Sequence, residues 1–292
     1  MAQYSIRDIE VLSGVKAHTL RIWEQRYDFL KPLRTDTNIR YYTDEQLKNI
    51  LNVSLLNRNG FRISKIANMK HEDINSEVLK IATENAEPSV YLDSLVHAML
   101  DFDEARFEKT LTSSIVSLGF ESTFNAVVFP FMQRTGTLWT TGAVRPVQEH
   151  FITNLIRRKI TVATDSQFVK LTENSKKFVL FLPSGETHEL LLLFTEYILR
   201  SHNHKVVYVG TSIPFDDIEY IYNDFKPDFF LTFFTVVPSE LPLQGYINRI
   251  ASTFPATKIV VGGAQIMFNP VDLPKNVYAI RSCEQLLDLL RQ

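Results

Sequence analysis

From Phe178 to the C-terminus short apolar runs alternate with amphipathic segments, and that alternation leaves few folds open. Phe178–Leu182, Val206–Val209, Phe229–Phe234 and Ile259–Val261 are dominated by β-branched and aromatic residues and have strand length. Tyr278-Ala279-Ile280 supplies a fifth such run. Between them Leu190–Arg200, Phe215–Phe225, Leu243–Thr253 and Cys283–Leu290 place apolar residues at helical spacing. Repeated strand–helix alternation predicts a parallel, doubly wound α/β sheet over residues 176–292. Ligands of such sheets sit beyond the C-terminal ends of the strands, so the loops after the strands hold the interest.

The first of those loops reads Pro183-Ser184-Gly185-Glu186-Thr187-His188. It puts a histidine on the ligand-binding edge with a carboxylate two residues earlier. A neutral imidazole is a good ligand for a transition metal such as cobalt, and a neighbouring carboxylate fixes its tautomer and raises its basicity. A loop histidine can equally cap a helix. Thr232 follows the core of the third run, and Gly262-Gly263 follows the fourth. Adjacent glycines let a bulky planar ligand approach the backbone, or simply make a turn.

The other end of the chain is organised differently. Ser5-Ile6-Arg7-Asp8 is a capping box that starts a helix with Ile6, Ile9 and Leu12 on one stripe, closed by Ser13-Gly14. A second helix spans about Lys16 to Tyr27, with Leu20, Trp23 and Tyr27 facing inward. Two short helices around a tight glycine turn make a helix-turn-helix. Lys16, His18, Thr19 and Arg21 then stand near the start of the second helix, where side chains reach base edges and phosphates. Pro32-Leu33-Arg34, the polar turn 35–38 and Ile39-Arg40-Tyr41-Tyr42 predict a basic hairpin, a wing. Trp23 and Tyr42 are expected in packing. Thr43-Asp44-Glu45-Gln46 caps a further helix through Leu47, Ile50, Leu51 and Leu55, ended by Asn59-Gly60, with a short one from Phe61 to Met69. The charge agrees: residues 1–70 hold 12 Lys and Arg against 7 Asp and Glu, whereas the remainder holds 19 against 26. A basic head on an acidic body suits an anionic partner for the head alone.

Residues 71–88 are polar and read as a connecting helix with a linker. From Val90 to about Phe168 four apolar stripes (Tyr91/Leu95/Met99, Phe107/Leu111/Ile115, Phe124/Val128/Met132, Phe151/Leu155/Ile156) predict a small helical bundle. Trp139, set among polar residues and followed ten and eleven residues later by Glu149-His150, is unusual for a plain bundle. One cysteine, Cys283, excludes a disulfide framework or a cysteine-based zinc cluster and fits a reducing cytoplasm. The charged first twenty residues and the lack of a long apolar stretch predict a soluble protein with no membrane segment.

The run from Thr19 to Ile50, TLRIWEQRYDFLKPLRTDTNIRYYTDEQLKNI, resembles the MerR-type DNA-binding domain, and the similarity extends from Ser5 to Ala67. Trp139 with Glu149-His150 looks like the upper-face motif of the CarH/LitR-type photoreceptor regulators, in which these residues cover the upper ligand of adenosylcobalamin. The tail resembles the cobalamin-binding signature Asp-x-His-x-x-Gly, then Ser-x-Leu, then Gly-Gly. Glu186 stands for the aspartate, His188 matches the lower axial cobalt ligand, Thr232 keeps the serine's hydroxyl, and Gly262 and Gly263 match the glycines around the nucleotide tail. Leu191 replaces the glycine after the histidine, Phe234 replaces the leucine, and Thr140 stands where some members carry a further histidine.

The resemblance implies three domains: residues 1–72 a winged helix-turn-helix, 88–170 a four-helix cap, and 176–292 a flavodoxin-like α/β domain. Lys16, His18, Thr19, Arg21, Arg34, Arg40 and Tyr41 would meet double-stranded promoter DNA. Trp139, Glu149, His150, Glu186, His188, Thr232, Gly262 and Gly263 would hold cobalamin, adenosylcobalamin first among its forms. In that family the cofactor drives tetramer assembly and repression in the dark, and light reverses both. The expectation is therefore a cytoplasmic, non-enzymatic, homo-oligomeric (dimeric or tetrameric) repressor. Its rivals are a MerR-type regulator without cobalamin or light response and a corrinoid-dependent methyltransferase component.

Overall fold

A computed structural model describes residues 4–27, 29–35, 38–84, 87–140, 144–238 and 241–291; of 75, 79–84 and 137–140 it describes the backbone alone. The chain divides into two compact units, Met1–Leu155 and Ile156–Gln292.

The first unit opens with α1 (Ile6–Ser13) and α2 (Ala17–Arg26). Ser5 accepts from the Asp8 N–H at 3.2 Å while Asp8 accepts from the Ser5 N–H at 2.8 Å, so the predicted capping box forms. Gly14 ends α1 at φ 71°, a left-handed value that costs glycine nothing. Strands β1 (Leu33–Arg34) and β2 (Arg40–Tyr41) pair antiparallel as the wing, and Tyr4 joins it by a two-way backbone bridge to Tyr42. Thr43 and Gln46 form the second capping box, at the start of α3 (Asp44–Arg58). α4 (Ile63–Ile66) and α5 (His71–Glu84) lead to the bundle. Ile9, Leu12, Leu20, Trp23, Leu47, Ile50 and Leu51 are buried and make the core of the head.

The bundle comprises α6 (Pro88–Asp101), α7 (Glu104–Leu118), a long third rod and α10 (Pro146–Asp165), whose last turns belong to the second unit. The rod runs through α8 (Phe120–Thr123), a π turn (Phe124–Val128) and α9 (Phe129–Thr140). Sequence periodicity gave no warning of the π turn, but Pro130 accounts for it. A proline ring collides with the carbonyl four residues back, here Ala126, and the wider i to i+5 turn, seen as the Phe129 N–H on the Phe124 carbonyl, makes room.

In the second unit β3 (Lys177–Pro183), β4 (Lys205–Ile213), β5 (Phe229–Phe233), β6 (Lys258–Gly262) and β7 (Val277–Ala279) form one parallel sheet in the order β4-β3-β5-β6-β7. α11 (Leu190–Ser201), α12 (Phe215–Phe225), α13 (Leu243–Thr253) and α15 (Cys283–Arg291) alternate with the strands as expected. A short α14 (Ala264–Phe268), absent from the sequence reading, follows β6. Side chains alternate across the sheet: Phe178, Leu180 and Leu182 enter one core with Leu192 and Leu199, Val179 and Phe181 the other with Phe230 and Phe254. Strand order reverses between β3 and β5, so the switch point lies at the ends of those two strands.

Candidate functional site

Helix α2, which carries His18, Thr19 and Arg21, starts without a side-chain cap of its own. Glu10 of α1 takes that place, accepting from the Ala17 N–H at 3.1 Å and pairing with Lys16 Nζ at 2.9 Å. The Lys16 side chain is 71% exposed, so this pair costs little to exchange for a phosphate. His18 and Arg21 are exposed on α2 and Thr19 is half-buried. In the wing Arg34 is exposed and donates to Asn38 Oδ1 at 2.7 Å. Tyr41 is half-buried, and Arg40 lies 3.4 Å from Glu24, the carboxylate that also accepts from the buried Tyr42 hydroxyl. Burial, with Glu24 beside it, pushes the Tyr42 phenol up. Glu24 therefore ties α2 to the wing. It stood in the recognised motif, but only the folded hairpin shows what it holds. Trp23 and Tyr42 pack inside, as expected.

The loop after β3 is built around Glu186. Its side chain is 2% exposed, and its carboxylate accepts from four donors. Oε1 takes the His188 N–H at 2.9 Å and lies 2.7 Å from His188 Nδ1. Oε2 takes the amides of Thr235 at 2.7 Å and Val236 at 2.9 Å, beyond the end of β5. Its backbone carbonyl accepts from the Ser212 N–H at the end of β4. One residue thus binds three loops together at the switch point. Burial acts to raise this carboxyl, yet the His188 ring and the three amides outweigh it and hold it down to about 2. An ionised carboxylate only accepts, so Nδ1 of His188 carries a proton, and in the neutral ring the lone pair then sits on Nε2. The ring is 56% exposed, on the face where such sheets bind ligands.

Thr232 lies within the run expected as the third strand, Phe229–Phe234. It is the fourth residue of β5, fully buried opposite Val261, and its hydroxyl has no hydrogen-bond partner among the described residues. Gly262 ends β6 and Gly263 caps α14 at φ 96°. A Cβ on Gly262 would fall 2.8 Å from the Phe233 ring, and one on Gly263 2.6 Å from the Phe234 carbonyl oxygen. The chain's own packing therefore requires both glycines, whatever ligand is bound. Leu191 packs against the core on the Leu192 side of the sheet. The fit of a corrinoid thus rests on the donor set: an oriented imidazole backed by a carboxylate, and an orphaned hydroxyl in the adjacent strand. That set suits a cobalt-bearing ligand with a polar appendage.

Glu189, next to the loop, is held from two sides: Arg157 Nε of α10 lies 2.7 Å from Oε1, and the Tyr208 hydroxyl donates to Oε2 at 2.8 Å. Trp139 falls in the last turn of α9, and its side chain lies outside the described residues. Glu149 lies in the first turn of α10 and His150 follows it; Glu149 accepts from Thr153 at 2.8 Å and His150 is 74% exposed.

Residues 4–72 match the description "MerR HTH family regulatory protein" and residues 91–164 "B12 binding domain". The chain is 25% identical over 268 residues to the HTH-type transcriptional repressor CarH of Myxococcus xanthus, covering 89% of both proteins. It is 23% identical over 264 residues to the repressor CarA of the same organism, covering 88% of this chain and 85% of that one. The solved monomethylamine corrinoid protein of Methanosarcina barkeri aligns with a TM-score of 0.54 at 11% identity, over 68% of this chain and 96% of that one, a likeness of fold. No described helix is long and apolar enough to cross a membrane. The chain joins a MerR-type helix-turn-helix domain to an effector region of the B12-binding type.

Proposed function

We propose that this protein is a cytoplasmic, non-enzymatic transcription repressor that binds promoter duplex DNA through its head and takes its signal from adenosylcobalamin carried on the His188 loop. The observation that supports it most is the Glu186–His188 contact of 2.7 Å at the switch point of the sheet, which orients the imidazole before any ligand arrives. His188 is the proposed lower axial ligand, Glu186 holds its tautomer, and the buried Thr232 hydroxyl donates to the cofactor's appendage. Gly262 and Gly263 act through packing. Trp139, Glu149 and His150 are proposed, on their motif, for the cofactor's opposite face. Lys16, His18, Thr19, Arg21, Arg34, Arg40 and Tyr41 meet DNA. The described division is read as 1–72, 88–170 and 176–292.

Bound adenosylcobalamin would supply a light-cleavable cobalt–carbon bond. A ligand shifts an assembly equilibrium only by its differential affinity for the two states, and a homo-oligomer multiplies the DNA contacts of each head. Gel filtration of the full chain with adenosylcobalamin, in the dark and after illumination, tests the reading. The expected result is a corrinoid spectrum co-eluting with a larger species that shrinks on illumination, with both lost in His188→Ala. An unchanged elution volume with no bound corrinoid leaves a MerR-type DNA binder and removes the cofactor from the mechanism.

A further inference from the structure

Two ion pairs join the DNA-reading head to the bundle inside the first unit. Lys48 and Arg58 on α3 pair with Asp101 and Asp93 on α6, so the two helices run antiparallel and are fastened at both ends. The inner pair differs from the outer. The Lys48 and Asp101 side chains are 30% and 41% exposed, whereas that of Asp93 is 3% exposed. A second cation, Arg134 of α9, lies 3.9 Å from Asp93 Oδ1, an atom with no hydrogen-bond partner among the described residues. The same Arg134 Nη1 donates to the Leu12 carbonyl at 3.3 Å, across 122 residues of sequence.

Leu12 lies in the last turn of α1, two residues before Gly14 and the turn into α2. The carbonyls there have no helix partners and must find donors elsewhere. Ser54 of α3 takes the Ser13 carbonyl at 3.2 Å, and Arg134 takes that of Leu12. One anchor of the helix-turn-helix turn thus comes from the head itself, and the other from the effector bundle. At 3.3 Å the Arg134 bond is already long, and a shift of α9 by about 1 Å breaks it.

We infer that Asp93, Arg58 and Arg134 are positioning residues for DNA reading: they hold the turn that aims α2 and make its attitude depend on how α6 and α9 pack. This rests on the DNA-binding reading of the head and needs no assumption about the ligand. Trp139 stands on the same helix as Arg134, so a change at the end of α9 would have a covalent route to the turn.

The test uses the full chain, a duplex selected from a random-sequence library, and an unselected duplex of equal length. Arg134→Met keeps the stem and removes the donor and charge. It is expected to weaken the selected duplex about tenfold and the unselected one less than about twofold. Amide exchange at residues 12–17 should rise while that of residues 47–55 stays, and Arg134→Lys should recover part of both effects. Asp93→Asn should give the same signature; if it fails to fold, Arg58→Met takes its place. A merely structural role would raise exchange throughout α3, α6 and α9 and lower both affinities alike. A folded Arg134→Met with unchanged exchange at 12–17 and an unchanged selected-to-unselected ratio overturns the inference. A wild type that prefers no duplex sinks the DNA reading instead, while the exchange result still decides the positioning role.

Discussion

Replacing Glu186 by glutamine tests the His188 loop most sharply, because the change keeps shape and reverses hydrogen-bond polarity at one atom. In the native loop all four partners of the carboxylate are donors: the His188 amide and ring on Oε1, the Thr235 and Val236 amides on Oε2. A glutamine can satisfy only one side. Turning its oxygen to Thr235 and Val236 costs least, since two fixed amides point there. Its NH2 then faces His188, where the backbone N–H loses its acceptor and the ring can adapt by moving its proton to Nε2. Charge-assisted bonds contribute about 1.5–3 kcal/mol each, so losing the charge and one acceptor should cost about 2–3 kcal/mol. For a unit of this size that lowers Tm by roughly 5–12 °C. The functional effect is larger than the stability effect, because a ring protonated on Nε2 has no lone pair to offer a metal there. Losing such a carboxylate partner typically costs 10–100-fold in metal affinity. The assay is nitrogen NMR of labelled histidine, which reads the tautomer directly, beside a corrinoid titration. A variant with Nδ1 still protonated, or with corrinoid affinity within twofold of wild type, would refute the reasoning.

Three further outcomes follow from other parts of the molecule. If Arg34 meets a phosphate, Arg34→Ala should lower the slope of log affinity against log salt by about 0.9 without changing sequence preference; an unchanged slope removes it from the interface. Gly263→Ala should cost about 3 kcal/mol or more in denaturant unfolding, since its backbone has φ 96° and its Cβ would meet the Phe234 backbone at 2.6 Å. Gly14→Ala, at φ 71° with nothing within 4 Å, should cost only about 1 kcal/mol, and equal costs would contradict the packing argument. Asp93 is pushed up to about 6 by burial, against Arg58 and Arg134, so the native state binds its proton more tightly than the unfolded chain. Its contribution is fully present below pH 4 and lost as pH rises to about 6. His97, one turn on and pushed down to about 3 by burial, loses stability as pH falls below about 6.5. The difference between wild type and Asp93→Asn therefore isolates Asp93, and a pH-independent difference between pH 4 and 6 would show the shift to be absent.

Local signals carried most of the architecture. Both capping boxes, the glycine stop after α1 and the bounds of α12 and α13 depend on residues within one or two turns, where sequence pattern and backbone energetics coincide. The parallel sheet was legible because strands buried on both faces must be apolar throughout. What escaped was long-range or too short to show a period. α14 has five residues, and the π turn answers a single proline. The acceptor role of Glu186 toward Thr235 and Val236 spans 49 and 50 residues. His188 and Glu186 could be singled out as a pair because they are two residues apart, whereas nothing local links Arg134 to Leu12. The glycine pair was legible as special, but its cause is Phe233 and Phe234.

Glu186 and Asp93 are both buried, and they solve opposite problems. Glu186 has four donors at 2.7–2.9 Å and stays ionised with its carboxyl near 2, which locks three loops into one geometry. Asp93 has one close cation, a second at 3.9 Å and an unsatisfied oxygen, and its carboxyl is raised instead. A ligand site gains from rigidity, while an element that passes a signal needs a second arrangement of similar energy. This difference predicts how each responds to apolar replacement. Exchanging a buried charge cluster for apolar groups of similar size is often neutral or stabilising, and here the desolvation cost falls on Asp93, since the Arg58 and Arg134 side chains keep 39% and 28% exposure. The triple variant Asp93→Leu/Arg58→Met/Arg134→Met should therefore match or exceed the wild-type Tm while losing selective DNA binding. A triple variant that unfolds would mark the triad as a structural staple. One that melts higher and reads DNA as before would show that the Leu12 carbonyl needs no hand from the bundle.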